Sequence, residues 1–177
     1  MIHYAKLVRQ GLGLAKPLLN RAAKVSLDWD VRQKSRFETT NSLGQSVGVF
    51  LPRGSVIRGG DVLVGEDGSL LQVLAAPQAV LRITFDDQRG TSFDLTRAAY
   101  HLGNRHVPIE LQADHLKIEP DHVLADMLRA MHLTVVAVDE AFEPERGAYG
   151  DHGGHAHGHS HDHQHGHVHG PHCSHDH

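Results

Sequence analysis

The chain has 177 residues, 18 histidines and a formal net charge of −4 at pH 7, and its length fits one domain or two small ones. Acidic and basic residues are interspersed over the first 150 residues without a basic stripe, which argues against nucleic acid as a partner. One cysteine excludes an intramolecular disulfide, and no apolar run reaches the ~18 residues of a membrane span, so we expect a cytoplasmic protein with no membrane partner.

From residue 1 to 76, short β-like runs alternate with turn residues. The runs cover residues 2–7, 23–29, 37–40, 46–51, 61–64 and 70–74, and the breaks between them are rich in Gly, Asn, Asp and Pro. Asp67-Gly68 is typical of a tight hairpin turn. This spacing predicts a small all-β N-terminal domain, residues 1–76.

From residue 77 onwards the pattern changes. Residues 80–85 predict a strand, and Leu95, Ala98, Ala99 and Leu102 fall on one face of a helix. Ser92 or Thr91 is its expected N-cap, and Gly103-Asn104 is expected to end it in the left-handed conformation.

The rest of this region predicts strands over residues 107–111 and 115–118, a helix capped by Asp121, and a strand over 133–138. The order β-α-β-β-α-β is that of a ferredoxin-like domain, residues 77–145, which makes the chain α+β. Pro, Gly and charged residues from 143 to 151 are typical of a linker, and we assign residues 146–177 to the linker and a tail.

The tail, residues 151–177, holds twelve of the 18 histidines and no Lys or Arg. Its few apolar residues cannot offset the entropy of ordering, so we expect it to be disordered when empty. Neutral imidazoles suit Ni²⁺, Cu²⁺ and Zn²⁺, and their interleaving with Gly, Ala and Asp differs from an uninterrupted purification tag. The predicted ligands are His155, His157, His159, His161, His163, His165, His167, His169, His172, His175 and His177.

Few residues outside the tail indicate chemistry when they are taken alone. His106 follows the expected end of the first helix, and His122 lies in the first turn of the second. A single exposed histidine is more often a solvated residue than a ligand. No P-loop, dinucleotide-binding glycine pattern, nucleophile elbow or His-Glu-x-x-His motif is present, so nothing in the sequence argues for an enzyme.

Three segments together resemble one known family. They are Tyr-His-Leu-Gly-Asn-Arg-His-Val-Pro at 100–108, Asp-His-Val-Leu-Ala-Asp-Met-Leu at 121–128, and Phe-Glu-Pro-Glu at 142–145 ahead of a histidine-rich tail. This combination is similar to the urease accessory proteins of the UreE family, and the similarity extends to the layout of the whole chain.

The resemblance implies a homodimeric nickel metallochaperone that is not an enzyme and that works with the accessory GTPase UreG and the urease apoprotein activation complex. It makes His106 the central ligand, paired across a two-fold axis. It makes His122 a peripheral ligand, although Pro120 stands where the family's first His of a His-x-His pair would be. The choice of nickel comes from the resemblance, because imidazole ligands suit Cu²⁺ and Zn²⁺ as well.

Two other functions stay open at this point. One is a metal storage or detoxification protein that buffers Ni²⁺, Zn²⁺ or Cu²⁺ on the tail, and the other is a zinc-responsive interaction module. The sequence also leaves open whether Cys173, His101 or His115 are ligands, and whether the assembly is a dimer or a tetramer.

Overall fold

The computed structural model describes residues 1–86 and 90–146. The chain divides into two compact units, Met1–Glu145 and Arg146–His177, and every helix and strand given below belongs to the first unit. The tail and its expected disorder fall outside the described residues. Within the described ranges, no helix is long and apolar enough to cross a membrane.

The N-terminal part of the chain builds a six-stranded mixed sheet. Its strands are β1 (Ile2–Val8), β2 (Ala23–Leu27), β3 (Arg36–Thr40), β4 (Ser46–Phe50), β5 (Val62–Gly65) and β6 (Leu70–Ala75). The spatial order is β2-β6-β5-β1-β4-β3, with β1 parallel to β4, β2 parallel to β6 and the other neighbours antiparallel. Alternating residues such as Val25 and Leu27 turn inward to form its core.

The expectation of an all-β N-terminal domain is wrong in one respect, since two short helices interrupt the strands. They are α1 (Lys16–Arg21) and α2 (Trp29–Arg32). Trp29, which we expected in a strand over residues 23–29, is the first residue of α2. The cause is Asp28, whose carboxylate accepts a hydrogen bond from the Val31 amide at 2.9 Å and so caps a helix.

The C-terminal part of the described chain forms a four-stranded antiparallel sheet and two helices. In chain order the elements are β7 (Pro77–Phe85), α3 (Ser92–Gly103), β8 (Glu110–Leu111), β9 (Leu116–Ile118), α4 (His122–Ala130) and β10 (Leu133–Ala141). The strand order is β10-β7-β9-β8. The protein is therefore α+β.

Both helices of this region pack on the sheet through the apolar faces that their spacing predicts. Leu95, Ala98 and Leu102 of α3 share one buried cluster with Ala125 and Leu128 of α4 and with residues of β7 and β9. Of the two expected N-caps for α3, Thr91 takes the position, in a capping box with Asp94. The start of α4 agrees with expectation, because the Asp121 carboxylate accepts from the Leu124 amide.

The two sheets meet around the end of β10. Phe142 is fully buried in a cluster with Trp29 and Val80, and its ring lies edge-on to Trp29 with centroids 6.2 Å apart. Pro144 is also buried. The expectation that linker character begins at residue 143 is therefore wrong, because residues 142–145 pack against the fold.

Phe142→Ala should lower the free energy of unfolding by about 3–5 kcal/mol, because the substitution leaves a cavity where the two sheets meet. Leu43→Ala removes an apolar side chain that is 70% exposed and should change stability by less than about 0.5 kcal/mol. Urea denaturation followed by Trp29 fluorescence measures both variants. Equal effects of the two substitutions would show that Phe142 is not part of the core.

Candidate metal centre

His106 lies in the turn that ends α3. Its amide donates to the Gly103 carbonyl at 2.9 Å, and the Val107 amide donates to the Leu102 carbonyl at 3.2 Å. His106 itself has a φ of 57°, in the left-handed region. These two hydrogen bonds and one left-handed residue define a Schellman motif, in which His106 takes the position that glycine usually occupies.

The expectation that Gly103 or Asn104 would adopt the left-handed conformation is wrong. Gly103 is the last residue of α3, and Asn104 keeps a right-handed φ of −62°. The turn runs two residues further, so the left-handed position falls on a residue with a Cβ atom. Holding a non-glycine residue there costs roughly 1–2 kcal/mol.

The chain around His106 is held from both sides while His106 itself stays exposed. Val107 packs against the cluster that contains Leu102, which is the apolar contact that accompanies a Schellman motif. Pro108 restricts Val107 to extended conformations, and Ile109 is buried. The imidazole thus projects into solvent from a segment with little conformational freedom.

His122 is the first residue of α4 and is also exposed. Glu110 at the start of β8 pairs with Lys117 in β9, so the start of β8 and the end of β9 lie at the same edge. His106 precedes β8 and His122 follows β9. The fold therefore brings both histidines to one end of the four-stranded sheet.

His115 lies elsewhere, in the turn between β8 and β9 at the other end of these strands. Its Nδ1 is 2.7 Å from Asp114 Oδ1. The hydrogen bond with His115 holds the pKa of the Asp114 carboxyl below its usual value. This position makes His115 a poor substitute for the missing first histidine beside His122.

The remaining described histidines are spread over the molecule. His101 is half-buried, and its ring lies edge-on to Tyr100. His3 on β1 contacts Phe50 on β4, with ring centroids 5.2 Å apart. His132 follows α4 with a φ of 66°, so it is a second left-handed histidine at a helix end. Within residues 1–86 and 90–146, no three His, Cys, Asp or Glu side chains are grouped closely enough to hold a metal ion.

The predicted tail ligands, from His155 to His177, and Cys173 lie outside the described residues. His106 and His122 are therefore the two predicted ligands whose surroundings the structure describes.

Two large aromatic side chains of α3 are exposed, Phe93 in its first turn and Tyr100 in its last, with 64% and 66% of their surfaces accessible. The polar residues Thr96 and Arg97 lie between them on the exposed side of the helix. Val123, beside His122, is 63% exposed. Tyr100 and Val123 are therefore large exposed side chains close in the chain to the two histidines.

No pattern in the sequence predicts the charged residues that hold the strand after His106 in place. Glu110 and Lys117 are both buried and form an ion pair at 2.9 Å, and Lys117 also donates to the Ala141 carbonyl. The Glu110 carboxylate accepts from the Glu143 amide at 2.7 Å. Lys117 alternates with Leu116 and Ile118 as a solvent-facing residue would, so only the packing of residues 141–143 reveals its burial.

His106→Gly should raise the free energy of unfolding by about 1 kcal/mol, because glycine adopts a positive φ without a Cβ clash. His132→Gly tests the same effect at the end of α4 and should also stabilise. Asn104→Gly should not, since Asn104 is right-handed. Urea denaturation decides, and stabilisation by Asn104→Gly but not His106→Gly would place the left-handed residue where the sequence suggested.

Comparison with known proteins matches both parts of the chain. The family model "UreE urease accessory protein, N-terminal domain" matches residues 6–76, and "UreE urease accessory protein, C-terminal domain" matches residues 78–177. The chain is 71% identical to the urease accessory protein UreE of Albidiferax ferrireducens over 177 residues, which is 100% of each chain. It is 68% identical to that of Polaromonas naphthalenivorans, over 89% of this chain and 75% of the relative, and 60% identical to that of Verminephrobacter eiseniae, over 100% and 98%. The chain therefore belongs to the UreE family of urease accessory proteins.

Proposed function

We propose that this protein is a cytoplasmic nickel metallochaperone that binds Ni²⁺ through His106 and delivers it for assembly of the urease active site. The observation that carries the proposal is the position of His106, exposed and left-handed where a Schellman motif favours glycine. Strained non-glycine residues cluster at functional sites, where the surrounding structure holds them in place. Family membership supports urease as the destination.

Two copies of the chain would share the ion. One imidazole is a weak site, whereas a two-fold axis near His106 would place two imidazoles on one metal ion. The exposed Tyr100, in the last turn of α3, supports a homodimer contact near that axis, because its burial would be favourable. Two such dimers around one ion would make a tetramer from the same surface.

Further donors would complete the coordination shell. Nickel takes about four to six ligands, so two copies of His106 leave positions for His122 and for tail histidines. His122 lies at the same end of the sheet as His106, which supports a peripheral role. The tail would raise the local concentration of Ni²⁺, and it would also bind Zn²⁺ or Cu²⁺, since imidazole ligands suit all three ions.

Delivery would proceed by ligand exchange rather than by catalysis. Neutral imidazoles bind the ion without a formal charge and release it to a better-organised acceptor. We assign that acceptor to the accessory GTPase UreG and the urease apoprotein activation complex, which the family suggests. We place the protein among non-enzymatic chaperones for this reason.

We assign a separate role to each of the two sheet-containing parts of the chain. We assign residues 1–76 to a peptide-binding-like domain and residues 77–145 to a ferredoxin-like metal-binding domain. The strand order β10-β7-β9-β8 with both helices on one face supports the second assignment. Residues 146–177 would serve as linker and metal-gathering tail.

A change of all twelve tail histidines to serine in the full chain isolates the body for a nickel titration. That variant should bind about one ion per two chains, and adding His106→Ala should weaken binding by more than about tenfold, or about 1.4 kcal/mol. His3→Ala, which removes an exposed histidine from β1, is the matched control and should leave the affinity unchanged. Unchanged affinity in the His106 variant would refute the proposed site.

The same tail variant separates the chaperone from a metal store. A chaperone should still support urease activation when nickel is plentiful, because His106 remains. A storage or detoxification protein should lose its metal capacity and its protective effect. If the tail variant no longer supports urease activation while His106→Ala still does, the result would favour a storage protein.

Nickel affinity at the His106 site should fall as the pH decreases below neutral. A proton and a metal ion compete for the same imidazole lone pair, so a protonated imidazole is not a ligand. Lower pH favours the protonated form. Nickel affinity should therefore fall by up to about tenfold per pH unit for each imidazole that binds the ion. Isothermal titration in buffers of different ionisation enthalpy measures the released protons. A pH-independent affinity would exclude imidazole ligands.

A further inference from the structure

We infer that Glu143 is a positioning residue for His106, through which the N-terminal sheet holds the metal-binding segment in place. The inference rests on the proposed role of His106 as a ligand. It concerns a residue in neither of the histidine sites, and it follows from a continuous series of short polar contacts.

The carboxylate of Glu143 is bound entirely by the N-terminal part of the chain. Its Oε1 accepts from Arg32 Nη1 at 2.7 Å and from the Gly59 amide at 2.8 Å, and its Oε2 accepts from Arg58 Nη1 at 3.1 Å. Two guanidinium groups and one amide thus fix both carboxylate oxygens. Charge-assisted hydrogen bonds of this kind are shorter and stronger than neutral ones.

Arg32 makes this attachment specific. Its side chain is fully buried, and it also donates to the carbonyls of Leu27 and Phe142. Its guanidinium and that of Arg58 both lie on the Trp29 ring, at 5.3 and 5.0 Å from the centroid. A buried guanidinium needs a partner charge, and Glu143 is the carboxylate that supplies it.

The main chain of the same segment binds the strand that leaves His106. The Glu143 amide donates to Glu110 Oε2 at 2.7 Å, and the Glu145 amide donates to the Ile109 carbonyl at 2.7 Å. The Glu143 side chain therefore contacts α2 and the connection between β4 and β5, while the backbone of residues 143–145 contacts the 109–110 segment.

Only Val107 and Pro108 separate His106 from Ile109. On its other side, His106 is fixed by the hydrogen bonds to Leu102 and Gly103 at the end of α3. The position of the His106 backbone consequently depends on both anchors. Release of Glu143 from the N-terminal sheet would loosen the second anchor and leave the first intact.

Glu143→Gln in the full chain tests the inference, because glutamine keeps the backbone hydrogen bonds and the size of the side chain but removes the charge. Amide hydrogen exchange followed by nuclear magnetic resonance should become about tenfold faster at Glu145, which reports the second anchor. Nickel titration followed through the His106 imidazole signals, which separates this site from the tail, should show about fivefold weaker binding.

Two control variants exclude a general effect of charge or stability. Glu145→Gln makes the same chemical change on an exposed side chain of the same segment and should alter neither readout. Asp94→Asn weakens the capping box at the far end of α3, so it should lower stability without weakening nickel binding at His106. Should Glu143→Gln fail to fold, Arg58→Gln removes one partner whose side chain is 17% exposed and should shift both readouts in the same direction.

The results separate this inference from the proposed function. If nickel leaves the His106 signals of the unaltered chain unchanged, the proposed function fails, and exchange at Glu145 alone judges the anchoring. If the unaltered chain binds nickel at His106 and Glu143→Gln changes neither exchange nor affinity, the inference is overturned. Weakening by Asp94→Asn equal to that by Glu143→Gln would also overturn it, since stability alone would then set the affinity.

Discussion

The buried guanidinium of Arg32 requires partners, and those partners join distant parts of the chain. They are the Leu27 carbonyl at the end of β2, the Phe142 carbonyl after β10, and the Glu143 carboxylate. Burial lowers the pKa of Arg32, and the adjacent Glu143 charge opposes that effect. Removal of the Glu143 charge would leave the buried Arg32 unpaired, which costs about 3–5 kcal/mol in buried ion pairs, so Arg32 requires residues 142–143 to stay beside it. The same contact fixes where residues 142–145 run.

The backbone at His106 shows what a fixed segment makes possible. A left-handed histidine is unfavourable by roughly 1–2 kcal/mol relative to a relaxed residue, so the surrounding structure must determine it. Helix α3 supplies the turn through the Leu102 and Gly103 carbonyls, and the buried Ile109 fixes the outgoing strand. His132 is also left-handed and exposed at a helix end, so backbone strain supports His106 as a ligand only together with the exposed His122 at the same end of the sheet.

Local signals predicted the elements whose cause lies in neighbouring residues. The apolar spacing of Leu95, Ala98 and Leu102 correctly predicted α3, and Asp121 correctly predicted the start of α4. Both signals are local, because caps and helix faces depend on residues three or four positions apart. The predicted left-handed residue, Gly103 or Asn104, lies at least two residues before the observed one, His106. The prediction failed because Schellman geometry depends on how Val107 packs. The contact between Arg32 and Glu143 joins residues 111 positions apart, and no pattern within either segment encodes it.

His106 and the tail histidines would have different uses in moving an ion. As a ligand, His106 would lose less entropy on binding, because hydrogen bonds at the end of α3 already hold its backbone. Twelve histidines among glycines in residues 151–177 offer many equivalent donors instead, and each exchange among them costs little. The number of tail histidines would therefore favour capture of the ion, and the position of His106 would favour its retention. Transfer to an acceptor would require only that the acceptor orient more donors than the pair of His106 side chains does. The rigidity of the 106–110 segment would then determine how readily the ion leaves.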